Sequence, residues 1–369
     1  MSDEVKSAEA ADSAEVESPS LYDRWNAVRE REITVAVLTV VGVFLAPFVL
    51  VEVPEMIGIR TQYIWYRSLV TLALIWGIFA IGYDLLLGFT GLLSFGHAIF
   101  WGTAAYAAGI FSAEVSGSPI AMLLVGTTVA VLLAWVIGWI SLRRGGIYFA
   151  ILTLTFGQMA FYLAASPLAF LTNGENGFTS VDIGPLLGII ELGADTPAPI
   201  SMLMSNWMYV FVGAMAVLSV AAANRVLHSP YGIVFRAIRE NESRAEFVGL
   251  NVWRYKLMAF IISAAFAGIA GSLFAIQSQY VPLNSLYWTA SGEVVIMTVL
   301  GGVGSLFGPL FGAGLYLYIE NIVAGFETIG VFWHLILGLV FVVMVVLFPD
   351  GIWGGIEYVR TRLFGGEES

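Results

Sequence analysis

Residues 69–87 read LVTLALIWGIFAIGYDLLL, an apolar run whose single charge, Asp84, stands close to its end. A helix of about 20 apolar residues crosses the hydrocarbon core of a bilayer. The stretch therefore reads as a transmembrane helix. Working outward, further runs follow: Ile33–Val51 before it, then Phe89–Phe111, Pro119–Leu142, Ile147–Phe170, Met202–Ala223, Leu257–Ile276, Leu306–Ile322 and Val331–Phe348. The run Phe89–Phe111 is glycine-rich and interrupted by Ser94 and His97. Glu293–Leu300 with its flanks adds a short run, and with Leu306–Ile322 it fits either two crossings or a re-entrant pair. The expected fold is an all-α integral membrane protein of about ten transmembrane helices.

Composition agrees. Of 369 residues, 59% are hydrophobic and 12% charged, where a soluble domain averages about 45–50% and about 25%. This excludes an ordinary soluble enzyme. An aromatic share of 14% excludes a disordered chain. There is no cysteine, hence no disulfide framework, thiolate metal site or cysteine nucleophile. A formal net charge of −11 argues against nucleic acid as a partner. Only Lys6 and Lys256 among the 16 basic residues are lysine, a hint of a high-salt host.

The polar residues 1–32 read as a disordered, acidic tail with a short amphipathic piece, Tyr22–Arg31, at the membrane surface. They lack the pattern of a signal peptide. Residues 33–350 form the transmembrane domain and 351–369 a second tail. Loops rich in Lys and Arg stay in the cytoplasm. With the N-terminus inside, Lys6, Arg24, Arg29, Arg31, Arg143, Arg144, Arg225, Arg236, Arg239, Arg244, Arg254, Lys256, Arg360 and Arg362 all lie inside, and only Arg60 and Arg67 lie outside. Both termini are thus expected in the cytoplasm. The outer loop 171–201 carries acids and no base.

The inner loop 225–256 is the most informative polar segment. Ser229-Pro230-Tyr231-Gly232 is turn chemistry. Ile233–Phe247 has helical spacing, with Val234, Ile238 and Ala245 near one face, Phe235 and Phe247 as apolar anchors, and Gly249 suited to a C-cap. A short helix along the membrane surface is expected. It reads either as a solvated connector or as a docking element for a cytoplasmic subunit.

Five stretches resemble the branched-chain amino acid ABC transporter permease family, LivM type: 82–108, GYDLLLGFTGLLSFGHAIFWGTAAYAA; 146–159, GIYFAILTLTFGQM; 171–180, LTNGENGFTS; the loop SPYGIVFRAIRENESRAEFVGLNVWRYKLMAF from Ser229; and 291–313, SGEVVIMTVLGGVGSLFGPLFGA. The resemblance spans about residues 65–350, in order. It implies a multi-pass subunit of the cell membrane belonging to an ABC importer. The partners implied are a second, LivH-type permease, two ATP-binding cassette subunits, an extracytoplasmic substrate-binding protein and membrane lipid. The segment around 230–250 would be the coupling loop, with Arg236, Arg239, Glu240, Arg244, Glu246 and Gly249 contacting an ATPase. Only Ala245 and Gly249 fit the Glu-Ala-Ala-x-x-x-Gly pattern of importer loops. No G-x-x-x-x-G-K-[ST] occurs, so ATP would be bound by partner subunits. This chain would be no enzyme and hold no cofactor or metal of its own.

Polar groups within the runs complete the reading. Asp84 reads as a carboxylate near the interface that caps a neighbouring helix or pairs with an arginine, or else as a transport group. Thr90, Gly91, Ser94, Gly96 and His97, with Gly301, Gly302 and Gly304, line a pathway or let helices pack closely. Phe95–Gly102 and Phe307–Gly312 echo one another as an internal repeat. Ser94 and His97 stand at i, i+3, but no orienting acid or oxyanion donor makes them a hydrolase. Asn173, Glu175 and Asn176 form a turn, an outer gate or a contact for the binding protein. Glu293 and Glu320 are expected near the outer surface. The alternative to an importer subunit is an ATP-independent secondary transporter or channel, against which the sparse intramembrane charge argues.

Overall fold

The computed structural model describes residues 34–43, 45–47, 66–197, 206–324, 333–347, 351, 352 and 354. The tail 1–32, residues 355–369, and parts of the first run, the outer loop and the tenth run lie outside them. The regular structure of the described residues is helical, and their β-pairing is limited to isolated bridges such as Phe178 with Val281. The helices are α1 (Thr34–Pro47), α2 (Tyr66–Thr90), α3 (Ala98–Glu114), α4 (Pro119–Ser141), α5 (Ile147–Ala165), α6 (Trp207–Leu227), α7 (Pro230–Glu240), α8 (Glu242–Phe247), α9 (Val252–Ser278), α10 (Trp288–Gly301), α11 (Gly308–Ala324) and α12 (Trp333–Leu347). Among the described residues, five helices are long and apolar enough to cross a membrane: α2, α4, α5, α6 and α9. The chain is a multi-pass α-helical membrane protein.

The starts of these helices follow local chemistry. Pro119 and Pro230 open α4 and α7, where a missing N–H costs nothing. Asn206, Asn241 and Asn251 cap α6, α8 and α9 through their side-chain oxygens, each cap contributing about 1 kcal/mol. In the bilayer no hydrophobic force drives helix against helix, so close packing of small residues and hydrogen bonds must do so. Helix α9 shows this. Its small residues face α2, α3 and α4. A Cβ on Gly271 would meet the backbone of Trp101, and one on Gly268 the backbone of Thr127. Helix α2 is the axis of the bundle, 89% buried over its apolar window, whereas α4 is 28% buried and shows Leu124, Leu132, Trp135 and Trp139 to its surroundings. Rings fill the centre. Trp76 stacks on Trp101 at 4.8 Å, Phe79 on Trp101 at 5.0 Å, and Phe100 meets Phe260 edge-on at 5.2 Å.

The third apolar run departs from the expected continuous span. Residues 91–97 are not helical, and α3 begins only at Ala98. His97 is tied through Ser263 to the Gly82 carbonyl. Gly82 lies eight residues before the end of α2, about 12 Å up the helix. The chain thus turns at the end of α2 and climbs back into the bundle before α3 starts. Such backbone is tolerated at membrane depth only where protein satisfies it. Here Tyr83 Oη donates to the Ser94 carbonyl at 3.0 Å, and Ala98 N–H donates to Ser291 Oγ of α10 at 2.8 Å.

The two ends of the bundle differ in charge. One, the basic end, gathers Arg143, Arg144, Arg225, Arg254 and the short helices α7 and α8; the other carries Glu114, Glu175, Asp182, Glu191 and Asp195.

Candidate functional site

At the basic end, α7 lies across the end of α2 and touches α6 and α9. Its inward face is Gly232, Phe235 and Ile238, and Ile238 packs with Ala245 of α8 and Val252 of α9. The single helix expected over Ile233–Phe247 is broken at Asn241, whose extended backbone (φ −160°) ends α7 and whose side chain starts α8. Two bonds close α8: Leu250 N–H to the Ala245 carbonyl at 3.2 Å and Gly249 N–H to the Glu246 carbonyl at 2.9 Å. With Gly249 at φ +90° this is a Schellman turn. Ala245, seven residues after Ile238, shares its inward face, and Phe247, two residues further on, points to the opposite side. Phe247 is therefore no buried anchor: it is 92% exposed. Ile233, Val248 and half of Tyr231 are exposed with it, beside Glu240, Arg244 and Glu246.

Arg236 and Arg239 are exposed as well, but their guanidinium groups reach back to the end of α2. Arg236 sits over the Phe89 ring at 5.6 Å. The Arg239 guanidinium donates to the Gly88 carbonyl. Its stem lies against Gly91, and its Nη1 is what a Cβ on Gly304 would meet at 3.0 Å. Asp84, 2% exposed, accepts the Gly304 N–H through both carboxylate oxygens, at 2.9 and 3.1 Å. Gly304 has φ +85°, which L side chains rarely adopt. Four elements therefore meet at one junction: α7 through Arg239, α2 through Asp84 and Gly88, the start of residues 91–97, and the α10–α11 connection through Gly304. Asp84 thus holds a backbone N–H of the α10–α11 connection rather than a helix end, and it makes no ion pair among the described residues. Lys256 of α9, 8% exposed, pairs with Glu242 of α8 at 2.5 Å and ties the loop to the bundle a second time.

The remaining polar residues of the first glycine-rich stretch are enclosed. Thr90 bonds back to the Leu86 carbonyl of its own helix. Gly96 packs backbone to backbone against α5, where a Cβ would overlap the Thr153 carbonyl and where Gly157 faces it in turn. Ser94 and His97 are 0% exposed and not bonded to each other. Ser263 Oγ gives its one hydrogen to the Gly82 carbonyl, so His97 Nε2–H donates to Ser263 at 2.9 Å. That leaves His97 Nδ1 a bare acceptor without a partner among the described residues. The arrangement is a packed polar knot among Phe79, Tyr83, Phe100 and Phe260 rather than a nucleophile with its base. In the second glycine-rich stretch, Gly301 abuts Gly308, and Gly312 abuts Met297 and Gly301, so α10 and α11 form a tight hairpin. Gly302 ends α10 beside Gly351.

The outer loop lies at the opposite end. Asn173 adopts a left-handed conformation (φ 65°) and ends the short turn Ala169–Thr172. The Asn176 carbonyl accepts from Tyr280 Oη at 3.0 Å, next to the Phe178–Val281 bridge. Asn173, Glu175 and Asn176 are exposed.

Sequence reasoning missed the bond of Arg239 to the end of α2, although Arg239 follows Phe235 by one turn and borders Ile238. It missed Ser263 as partner of His97 and Glu242 as partner of Lys256. No local pattern marks those two, which are joined across 166 and 14 residues.

The comparisons with known proteins fit this arrangement. The family model for the branched-chain amino acid transport system permease component matches residues 66–345. The high-affinity branched-chain amino acid transport system permease LivM of Escherichia coli is 31% identical over 297 residues, covering 77% of this chain and 69% of the relative. Its Salmonella typhimurium counterpart is 30% identical with the same coverage. The permease LivH of Escherichia coli is 25% identical over 305 residues, 79% of this chain and 95% of the relative. No solved structure matches. The chain belongs to the branched-chain amino acid transport permease family and is a permease subunit of an ABC importer, a multi-pass protein of the cell membrane.

Proposed function

We propose that this permease pairs with a second, LivH-type permease to form the pathway for branched-chain amino acids, driven by two ATP-binding cassette subunits and fed by a substrate-binding protein outside. The chain itself performs no covalent chemistry and binds no ATP. Its basic end faces the cytoplasm, following the rule for Lys and Arg, with ten crossings and both tails inside. The two glycine-rich connections are corresponding halves of an internal repeat.

The observation that carries this reading is the α7–α8 element. It exposes Ile233, Phe247 and Val248 amid charged side chains, a surface that suits a protein partner better than water. On its other side it holds the Asp84–Gly304 junction through Arg239. An ATPase that moves α7 thereby moves the end of α2 and the α10–α11 connection together. The chain acts as conduit and lever. Glu240, Arg244, Glu246 and Gly249 lie on the docking side, while Arg236 and Arg239 transmit. At the outer end, Asn173, Glu175 and Asn176 offer a contact for the binding protein.

The test is a mild-detergent pull-down of the tagged chain from its own membranes, read by mass spectrometry. Stoichiometric recovery of P-loop ATPases and a related permease supports the reading. Recovery of the chain alone, from a preparation that keeps other transporter complexes intact, refutes it in favour of an autonomous carrier.

A further inference from the structure

Helices α10 and α11 carry two carboxylates that the lever does not use. The hairpin fixes their register. Gly301 faces Gly308 and Met297 faces Gly312. One more turn along both helices sets Glu293 opposite Tyr316. Glu320 lies one further turn along α11, on the face of Tyr316. The spacing 293, 297, 301 on α10 and 308, 312, 316, 320 on α11 keeps these residues on the facing sides of the hairpin. Glu293 is not at the outer rim, where the sequence suggested it. Two residues before it, Ser291 holds Ala98 N–H at the start of α3, about 24 Å from the far end of that helix at Glu114. It is also eight residues, about 12 Å, from the end of α10.

Neither carboxylate has a hydrogen-bond or ion-pair partner among the described residues. Tyr316 is 4% exposed, and its hydroxyl is equally without a hydrogen-bond partner there. Carboxylates at membrane depth are costly and persist where they meet water, a counter-charge or a passing solute. Facing lipid is the one arrangement the cost forbids. Glu293 and Glu320 are partly accessible, so this face of the hairpin borders the pathway or the second permease rather than acyl chains.

We propose that Glu293, Glu320 and Tyr316 form a station on the translocation path that receives the α-ammonium group of the transported amino acid, one carboxylate and the phenol facing the cation while the apolar hairpin wall takes the side chain. The inference rests on the importer reading given above. An amino acid released into an apolar pathway needs a counter-charge for its ammonium, and these residues supply negative charge without a cation of their own.

The experiment uses the complete transporter in proteoliposomes, with leucine uptake and binding-protein-stimulated ATP hydrolysis read side by side. In Glu293→Gln, uptake falls at least about tenfold, the size of removing one partner from a desolvated charge pair, while hydrolysis stays within about twofold. Glu293→Asp recovers part of the uptake, and Tyr316→Phe loses less than Glu293→Gln. Uptake at the wild-type rate in both Glu293→Gln and Glu320→Gln overturns the proposal. Should a variant fail to assemble, the wild-type complex is labelled with dicyclohexylcarbodiimide and Glu293 and Glu320 are followed by peptide mass spectrometry. Leucine then protects them during turnover; labelling indifferent to leucine overturns the proposal. A wild-type complex that carries no branched-chain amino acid instead overturns the importer's substrate reading, and this proposal with it.

Discussion

Residues 91–97 and 302–307 are both glycine-rich links between two helices, yet they live in different surroundings. The first climbs into the bundle; Gly91 and the Phe95 ring stay exposed, while Ser94, Gly96 and His97 are enclosed, with Gly96 against the Thr153 backbone and His97 bonded to Ser263. The second stays at the basic end, with Val303 exposed and Gly304 bonded by the buried Asp84 of α2 and beside Arg239. Similar composition serves two purposes. In the first, small residues let backbones touch and lock the bundle. In the second, the same residues let α2 bond the α10–α11 connection, with Arg239 of α7 close beside it. The lesson is that glycine signals close approach, and the identity of the neighbour decides what the approach is for.

The sharpest way to break the comparison is to add volume to the enclosed link. Gly96→Val is expected to yield no folded subunit, at a cost of about 4 kcal/mol or more, because the obstacle is backbone and cannot yield. Size-exclusion chromatography of a fluorescent fusion in detergent reads this out. Gly292→Ala, whose Cβ would meet nothing within 4 Å, is the matched neutral change. A monodisperse Gly96→Val protein would show that the first link is as permissive as the second.

Next in size is the docking face. Phe247→Asp removes an exposed ring and adds a charge, so the purified subunit should melt as wild type while recovery of ATPase subunits falls about tenfold. An unchanged yield of ATPase would place docking elsewhere. At the exposed link, Gly304→Ala should cost only about 1–2 kcal/mol, from its left-handed backbone and from the nearby guanidinium, a flexible end that can move. A thermal melt of the complex measures it, and loss of folding would erase the contrast with Gly96.

The smallest effect concerns the second tether. Glu242 is half exposed, so the pair with Lys256 is worth at most about 1 kcal/mol. Glu242→Gln should destabilise more than Lys256→Met, because it strands a buried ammonium. Paired melts of the two variants decide the order.

Much of the architecture was legible in residues alone. Runs such as 69–87, 119–142 and 257–276 became α2, α4 and α9, because hydropathy over about 20 residues reports the bilayer directly. The break at 91–97 was not legible, because glycine, serine and histidine inside an apolar run look the same in a continuous helix and in a buried turn. Only the tertiary partners Tyr83, Ser263 and Ser291 separate the two. In the loop, the apolar spacing correctly marked Ile238 and Ala245 as inward, whereas Phe247, two residues beyond Ala245, falls on the opposite face and is exposed, so its apolar character alone misled. Asp84 was read as a cap or an arginine partner from its place near a helix end, whereas its contact with Gly304 lies 220 residues away and has no local signature.

The central claim is that α7 drives the bundle through Arg239 and Asp84. Its most direct test is the ratio of leucine uptake to ATP hydrolysis in proteoliposomes carrying Arg239→Gln or Asp84→Asn. The account predicts hydrolysis within about twofold of wild type and uptake reduced about tenfold or more, as expected when the charged partner of a backbone group at the junction is removed. Wild-type uptake per ATP in both variants would contradict it.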